Sequence, residues 1–205
     1  MGHRAVRAPD AFILAGGQSA RMGTDKSAVE LDGRAFLDRV LAAVGPVARS
    51  ISIVGGGPRL TELTALPDRR PGLGPLAGIE TALAACSTDR AVIVACDLPF
   101  VTAALLEFLI AREDAGPDGA VVPLDSDGRV SPLCAVYPRS ALPLVGELLD
   151  SGERTPRALL VRIRTDLVPF ADYAHLENAG QLLRNVNTPE DLAEARRIAE
   201  DSRRR

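Results

Sequence analysis

Short apolar runs alternate with amphipathic stretches along the chain. The apolar runs predict six strands, at residues 11–14, 51–54, 91–95, 120–122, 133–136 and 167–168. The run at 91–95 is continuously apolar, as expected for a central parallel strand that is covered on both faces. Because the strands alternate with helices, the pattern predicts an α/β fold with a mainly parallel sheet. No repeat or long linker interrupts it, so we expect one domain over residues 1–205 with flexible ends at 1–9 and 201–205.

The amphipathic stretches carry apolar residues at helical spacing. The five predicted helices contain Phe36, Val40 and Ala43; Ile79 and Leu83; Leu105, Phe108 and Leu109; Leu142, Val145 and Leu149; and Leu192, Ala195 and Ala199. Thr102 is placed to cap the third of these helices. Thr188 is placed to cap the fifth, because Pro189 occupies the first helical position. Polar, glycine-containing stretches at 114–119 and 125–128 predict surface turns.

Composition excludes several classes of function. The net charge is −3 and the sequence pI is about 5.5, so the basic footprint of a nucleic-acid-binding protein is absent. Five Phe, two Tyr and no Trp are too few for base-stacking platforms. No apolar run approaches the roughly 20 residues that cross a bilayer, and the charged N-terminus lacks the apolar core of a signal peptide. We therefore expect a cytoplasmic protein without nucleic-acid or membrane partners.

The few cysteines and histidines argue against a metal centre built on sulfur or imidazole. Cys86, Cys96 and Cys134 never form a C-x-x-C pair, and their odd number does not suggest a disulfide framework. Buried reduced thiols of a cytosolic protein are the expected state. His3 and His175 are the only histidines, so a catalytic histidine dyad is not expected.

The stretch from Leu14 to Lys26 is the most unusual part of the chain. It follows the first predicted strand, and ligands of open α/β sheets bind beyond the carboxyl ends of the strands. Gly16 and Gly17 allow the backbone to turn sharply and approach a ligand, so that exposed N–H groups can bind phosphate oxygens. Arg21 and Lys26 add two cations. The spacing fits neither the P-loop nor the dinucleotide-binding fingerprint.

This stretch, LAGGQSARMGTDK, resembles the signature of the molybdenum cofactor guanylyltransferases, a branch of the nucleotidyltransferase superfamily. Three further segments resemble motifs of that family in the same order along the chain. They are DRRPGLGPLAG at 68–78, CDLPF at 96–100 and NVNTPEDL at 185–192. The resemblance extends from residue 14 to residue 192, which is most of the chain.

The resemblance implies a fold and a reaction. The expected fold is a Rossmann-like three-layer α/β/α domain with a mainly parallel mixed sheet, of the nucleotide-diphospho-sugar transferase type. The expected reaction transfers GMP from GTP to the terminal phosphate of molybdenum-molybdopterin, which yields molybdopterin guanine dinucleotide and pyrophosphate. Mg²⁺ is the expected cofactor. The expected partners are GTP, molybdenum-molybdopterin, and molybdoenzyme acceptors or their chaperones.

The resemblance also implies roles for individual residues. The expected catalytic residues are Arg21, Lys26 and Asp97, and the expected metal ligands are Asp97 and Asn187. Nucleotide binding is expected at Leu14, Ala15, Gly16, Gly17, Lys26, Asp68 and Asp97. Substrate binding is expected at Pro75, Leu76, Gly78, Asn185 and Asn187.

The chemistry of these side chains agrees with such roles. Asp97 follows the most apolar predicted strand, where a carboxylate needs a compensating cation or hydrogen-bond donors. Mg²⁺, held by one or two carboxylates and by substrate phosphates, would supply it. Capping of the next helix is the alternative role for Asp97, but Thr102 is better placed as a cap. Asp68 can accept from the N1–H and the exocyclic amine of guanine. Asn185 and Asn187 would suggest only a polar turn if they stood alone.

The chain departs from the family pattern at two places. Relatives often carry Asn at the end of the second strand, where VGGG stands at 54–57. Many also carry a basic or amide residue where Ser131 precedes Pro132. Two other functions therefore stay open. One is a related transferase that uses CTP or UTP on another cofactor or a sugar phosphate, and the other is a GTP-binding regulator without catalysis.

Lys26 is the only lysine in the chain, beside 23 arginines. Ammonium is a compact point donor, whereas guanidinium is a planar fork. We therefore expect position 26 to contact a phosphate in a crowded site that admits only the compact group.

Overall fold

The computed structural model of the chain describes residues 8–15, 29–55, 64–112 and 114–203, and nine strands lie within these ranges. They are β1 (Asp10–Leu14), β2 (Glu30–Leu31), β3 (Arg34–Ala35), β4 (Ser50–Val54), β5 (Thr64–Leu66), β6 (Arg90–Ala95), β7 (Ala120–Pro123), β8 (Cys134–Pro138) and β9 (Thr165–Val168). β2 and β3 form a separate antiparallel hairpin.

The other strands form one sheet in the order β5-β4-β1-β6-β8-β7-β9. β8 is antiparallel to both of its neighbours, and the remaining pairings of the sheet are parallel. β1 and β6 lie side by side in register, with Asp10 opposite Ala91 and Leu14 opposite Ala95. Both strands are almost wholly apolar because helices cover both of their faces.

Seven α-helices lie within the described ranges. They are α1 (Phe36–Val44), α2 (Pro75–Ala85), α3 (Ala103–Ala111), α4 (Leu142–Asp150), α5 (Pro156–Arg162), α6 (Phe170–Tyr173) and α7 (Pro189–Arg203). One apolar cluster joins α1, α3 and α6 to one face of the sheet, and another joins α2, α4 and α5 to the other face. Alternate residues of β1 enter the two clusters, with Ile13 in the first and Leu14 in the second. The result is the three-layer arrangement that was expected.

The six predicted strands and five predicted helices are confirmed. Thr102 caps α3, because its Oγ1 accepts from the N–H of Leu105 at 3.4 Å. Thr188 caps α7 in the same way, with its Oγ1 accepting from the N–H of Asp191 at 3.1 Å. The cap at Thr102 fixes the start of α3, which follows β6. The cap at Thr188 fixes the start of α7, in the C-terminal part of the chain.

Five short elements have no predicted counterpart: β2, β3, β5, α5 and α6. The hairpin turn had a signal, since Asp32 and Gly33 both take positive φ angles, of 57° and 71°, and Asp-Gly is typical of two-residue hairpin turns. β5 has only three residues, and it pairs with β4 alone. Its register, with Thr64 opposite Ser52, depends on tertiary pairing rather than on a periodic pattern.

The three cysteines are free and buried, as expected. Burial raises the pKa of the Cys134 thiol to about 12, so this thiol is protonated at neutral pH. Within the described ranges, no helix combines the length and the apolar character needed to cross a membrane.

Candidate functional site

The carboxyl ends of four adjacent strands lie side by side at one edge of the sheet. These strands are β5, β4, β1 and β6. Backbone N–H groups just past the strand ends donate to the neighbouring strand: Gly55 to Leu66 O at 3.0 Å, Ala15 to Val54 O at 2.9 Å, and Cys96 to Leu14 O at 3.0 Å. From β1 the chain proceeds to β4 on one side and later returns to β6 on the other. The topological switch point, where open α/β sheets bind ligands, therefore lies between β1 and β6.

The predicted phosphate-binding stretch starts at this switch point. Leu14 is buried, and its carbonyl accepts from Cys96. Its side chain packs into the core, and its predicted role in nucleotide binding stays a prediction. Ala15 is half-buried and is the last residue described before the stretch. Outside the described residues lie Gly16, Gly17, Arg21 and Lys26, whose predicted roles stay predictions.

Asp97 lies on the other side of the switch point, two residues after β6. The residue is half-buried, and its main-chain carbonyl accepts a hydrogen bond from the N–H of Val186 at 3.0 Å. Arg39 of α1 donates from Nε to Pro99 O at 3.0 Å and holds the turn that follows. The backbone that carries the Asp97 carboxylate is therefore held in place by two distant parts of the chain.

The segment 185–187 alternates in burial like a strand as it passes Asp97. Asn185 is exposed, Val186 is fully buried and Asn187 is half-buried. Val186 belongs to an apolar cluster between the β2–β3 hairpin and α7. Its hydrogen bond to Asp97 places the main chain next to Asn187 beside that of Asp97, although nearly half of the chain separates the two residues. Their roles as metal ligands stay predictions.

Asp191 holds the backbone of Asn187 in position. Its Oδ2 accepts from the N–H groups of Asn187 and Thr188, both at 2.9 Å. Together with the N–H of Asp191 donating to Thr188 Oγ1, this forms a reciprocal capping box. The hydrogen bond from Asn187 is the main reason that the pKa of the Asp191 carboxyl lies below its usual range. No role at the site was predicted for Asp191, although its spacing from Thr188 is a signal in the sequence.

Asp68 lies at the other end of the edge, two residues after β5. Its Oδ1 accepts from the N–H of Arg70 at 3.0 Å and lies 3.3 Å from the hydroxyl of Thr81. In the hydrogen bonds between described residues, its Oδ2 takes no part. Three inter-strand spacings, about 14 Å, separate β5 from β6. A nucleotide can therefore place its base near Asp68 and its phosphates near the switch point.

The start of α2 carries three predicted substrate contacts, Pro75, Leu76 and Gly78, and these stay predictions. Gly74 has a φ of +80°, a left-handed conformation that favours glycine, and Pro75 is exposed at the first helical position. Leu76 is fully buried, and a Cβ on the buried Gly78 would come within 3.1 Å of Leu14 Cδ1. Leu76 and Gly78 therefore pack α2 closely onto β1, and Pro75 is the one of the three that offers surface to a substrate.

The segment between α4 and α5 packs beside Gly74, a contact that the sequence did not predict. A Cβ on Gly74 would lie 3.6 Å from Arg154 O. Glu153 Oε1 accepts from the N–H groups of Arg154 and Thr155, at 2.7 and 2.8 Å. The bond from Thr155 is the main reason that the pKa of the Glu153 carboxyl is lowered. The Thr155-Pro156 pair, which repeats the start of α7, was the available signal for this helix start.

The donors near the switch point suit a hard divalent cation. Asp97 offers a carboxylate and Asn187 an amide oxygen, and Mg²⁺ is commonly held by one or two carboxylates with water and substrate phosphates as the other ligands. Within the described ranges, no group of three or more His, Cys, Asp or Glu is arranged to hold a metal. The donor set at Asp97 and Asn187 fits a cation that arrives with a nucleotide.

The fold and the carboxylates beyond the carboxyl ends of the strands together define the class of protein. Phosphate-bearing ligands bind open parallel sheets at the switch point, and here a carboxylate stands at each end of the edge. The chain is an α/β protein of the nucleotide-binding kind.

Comparison with known proteins identifies the family within this class. The profile of the MobA-like NTP transferase domain matches residues 11–166. A probable molybdenum cofactor guanylyltransferase of Carboxydothermus hydrogenoformans is 32% identical over 91% of this chain and 94% of that protein. Another, of Deinococcus radiodurans, is 36% identical over 94% of this chain and 96% of that protein. The crystal structure of molybdopterin-guanine dinucleotide biosynthesis protein A from Archaeoglobus fulgidus shares 28% identity and a TM-score of 0.80, over 94% of this chain and 99% of that one.

The chain therefore belongs to the MobA-like NTP transferase family, and it is a nucleotidyltransferase. The resemblance inferred from the four sequence motifs and the Rossmann-like mixed sheet are both confirmed. Nucleotidyltransferases of this family generally use a divalent metal ion, which agrees with the oxygen donors at Asp97 and Asn187.

Proposed function

We propose that the chain transfers GMP from GTP to the terminal phosphate of molybdenum-molybdopterin and releases pyrophosphate. The names of its relatives support a guanylyltransferase of molybdenum cofactor biosynthesis. The structural observation that carries the proposal is the hydrogen bond from Val186 to Asp97. It joins the motifs at 96–100 and 185–192 beside the switch point, where the reacting phosphates would lie.

The acceptor phosphate is already an anionic nucleophile. One of its oxygens attacks the α-phosphorus of GTP and forms a new P–O–P linkage, while the bond to the β-phosphate oxygen breaks and pyrophosphate leaves with those electrons. No Ser, Cys or His nucleophile is needed. Catalysis then rests on alignment of the two phosphates and on neutralisation of their charge.

Asp97 and Asn187 would hold Mg²⁺ through a carboxylate and an amide oxygen. When bound, the ion would offset negative charge on the phosphates of donor and acceptor. Asp97 is suited to this role because its backbone is anchored to Val186, so the main chain that carries the carboxylate need not be ordered when the nucleotide binds. Arg21 and Lys26 would neutralise charge on the α-phosphate and on the departing pyrophosphate.

Asp68 would select the base. A carboxylate accepts from the N1–H and the exocyclic amine of guanine together, and cytosine and uracil do not present this pair of donors. The N–H of Gly55 already donates to Leu66 O, so it cannot replace the amide that relatives often carry near this position. We therefore assign discrimination between bases to Asp68.

The decisive experiment incubates the purified chain and molybdenum-molybdopterin with Mg²⁺ and one nucleotide at a time, either GTP, CTP or UTP. Pyrophosphate release and the dinucleotide product are measured. We expect turnover with GTP that requires the acceptor. Asp97→Asn should abolish it, whereas Asp89→Asn, at the amino end of the same strand, should not. Preference for CTP or UTP would refute the guanylyl assignment, and GTP binding without turnover would indicate a regulator instead.

A further inference from the structure

α2 is buried along most of its length, yet it carries two adjacent buried polar side chains. Glu80 is 5% exposed and Thr81 is 4% exposed, and Asp10 is the only other polar or charged side chain in the buried class among the described residues. Burial of a polar group costs free energy unless the group has a partner. The partners of Glu80 and Thr81 therefore indicate what these residues are for.

Thr81 holds the backbone and the carboxylate of the segment 68–70. Its Oγ1 accepts from the N–H of Arg69 at 3.0 Å. The same oxygen lies 3.3 Å from Asp68 Oδ1 and 3.1 Å from Ala77 O. A hydroxyl has one hydrogen, so it donates to one of these two oxygens at a time. One side chain thus contacts both Asp68 and the residue that follows it.

Glu80 holds the same segment through Arg70. Its Oε2 lies 3.0 Å from Arg70 Nε, in an ion pair at the buried face of α2. Arg70 Nη1 lies 2.5 Å from Asp150 Oδ1 at the end of α4. The backbone N–H of Arg70 donates to Asp68 Oδ1. Arg70 therefore connects two helices to the carboxylate of Asp68.

We infer that Glu80 and Thr81 are positioning residues that orient Asp68 toward a guanine base, and that they help set the preference for GTP. The inference rests on the proposed function. Contacts with Arg70 and Thr81 are made by Oδ1 of Asp68, and they leave the two lone pairs of Oδ2 for the base. Two donors on the edge of guanine, the N1–H and the amine, match the two in-plane lone pairs of Oδ2.

The test compares GTP with inosine triphosphate, which keeps the N1–H and lacks the exocyclic amine. Thr81→Val removes the hydroxyl at nearly constant volume. We expect the KM for GTP to rise about fivefold to tenfold, as for the loss of one oriented hydrogen bond. The ratio of kcat/KM for GTP over inosine triphosphate should fall, while the KM for the acceptor stays unchanged. Thr81→Ser, which keeps the hydroxyl, should restore the ratio.

Thr165→Val is the matched control. Thr165 also donates from a partly buried hydroxyl to a main-chain carbonyl, Leu160 O at 3.0 Å, but it lies in β9 at the far edge of the sheet. This variant should keep the wild-type ratio. If Thr81→Val does not fold, Glu80→Gln, which removes the charge that binds Arg70, should lower the ratio in the same assay.

The experiment distinguishes failure of the proposed function from failure of the positioning role alone. Wild-type protein that does not turn over GTP would overturn the proposed function, and the inference with it, before any variant is made. Wild-type protein that prefers GTP, together with folded Thr81→Val and Glu80→Gln variants that keep the full ratio, would overturn only the positioning role.

Discussion

Asp10 connects three parts of the sheet at the end opposite to the candidate site, and its removal should destabilise the fold. The side chain is 3% exposed. Its Oδ1 accepts from Ser50 Oγ at 2.7 Å, and its Oδ2 accepts from the N–H and the Oγ of Ser87, both at 2.6 Å. These bonds tie the start of β1 to the start of β4 and to the turn before β6.

The size of the effect follows from the partners. A hydrogen bond to a charged group contributes about 1.5–3 kcal/mol. Ser50 and Ser87 are exposed, so water can replace part of what they lose. We therefore expect Asp10→Ala to lower the free energy of unfolding by about 3 kcal/mol rather than by the full sum of three bonds. Asp10→Asn should cost about half as much, because the amide keeps an acceptor for Ser87 and can donate to Ser50.

The effect should also depend on pH. Burial raises the pKa of Asp10, but the hydrogen bonds from Ser50 and Ser87 and the charge of Arg49 outweigh it, so the pKa lies below its usual value. A carboxyl of this kind stabilises the fold fully above its unfolded pKa, roughly 3.9, and loses this contribution as the pH falls through the folded pKa. The advantage of the wild type over Asp10→Asn should therefore be constant from about pH 7 to 5 and shrink below about pH 4.

Urea denaturation followed by circular dichroism measures these differences, since the chain has no Trp for fluorescence. Asp118→Ala is the control, because Asp118 also accepts from a serine, Ser140 Oγ at 2.8 Å, but both residues are exposed. We expect that variant to change stability by less than about 0.5 kcal/mol. A structural role for the Asp10 carboxylate is refuted if Asp10→Ala lowers the free energy of unfolding no more than Asp118→Ala, or if the difference between wild type and Asp10→Asn does not change with pH.

Three further predictions concern the phosphate-binding stretch, a helix cap and the thiols. Lys26→Arg should be nearly as inactive in turnover of GTP as Lys26→Ala, with an unchanged circular dichroism spectrum. Thr102→Ala should lower the free energy of unfolding by about 1 kcal/mol in urea denaturation, and equal stability would show that this cap contributes nothing. A thiol reagent should find no fast-reacting cysteine in the native protein, because Cys86, Cys96 and Cys134 are buried and the pKa of the Cys134 thiol is raised to about 12; rapid labelling before unfolding would contradict this.

The part of the fold that could be predicted is the part with local signals. β1 and β6 were found because strands covered on both faces need continuous apolar runs. β5 was not found, since three residues that pair with a single neighbour leave no periodicity to detect. The Asp32-Gly33 turn had a local signal that was overlooked.

The sequence located some residues of the candidate site but did not indicate the burial of others, again because only local signals can be read from it. Matching motifs located Asp68 and Asp97 at the sheet edge, because those carboxylates follow strand ends. The motifs did not indicate that Leu76 and Gly78 are buried, since a motif does not tell which of its residues enter the core. Glu80 had a signal of a different kind, because an acid in the middle of an apolar helix implies a buried partner.

The contacts of the arginines give a physical reason for the lone lysine. Arg112 uses three nitrogens on three carboxylates: Nε on Asp166 at 2.6 Å, Nη1 on Asp172 at 3.0 Å and Nη2 on Asp114 at 3.0 Å. Arg70 likewise spans Glu80 and Asp150. A single ammonium cannot span separated acceptors, so these positions require the fork of guanidinium. If position 26 faces a phosphate beside a metal ion, the compact ammonium group is required instead of the guanidinium fork, because a single donor must enter a narrow space. Turnover of Lys26→Arg relative to Lys26→Ala therefore separates the shape of the cation from its charge.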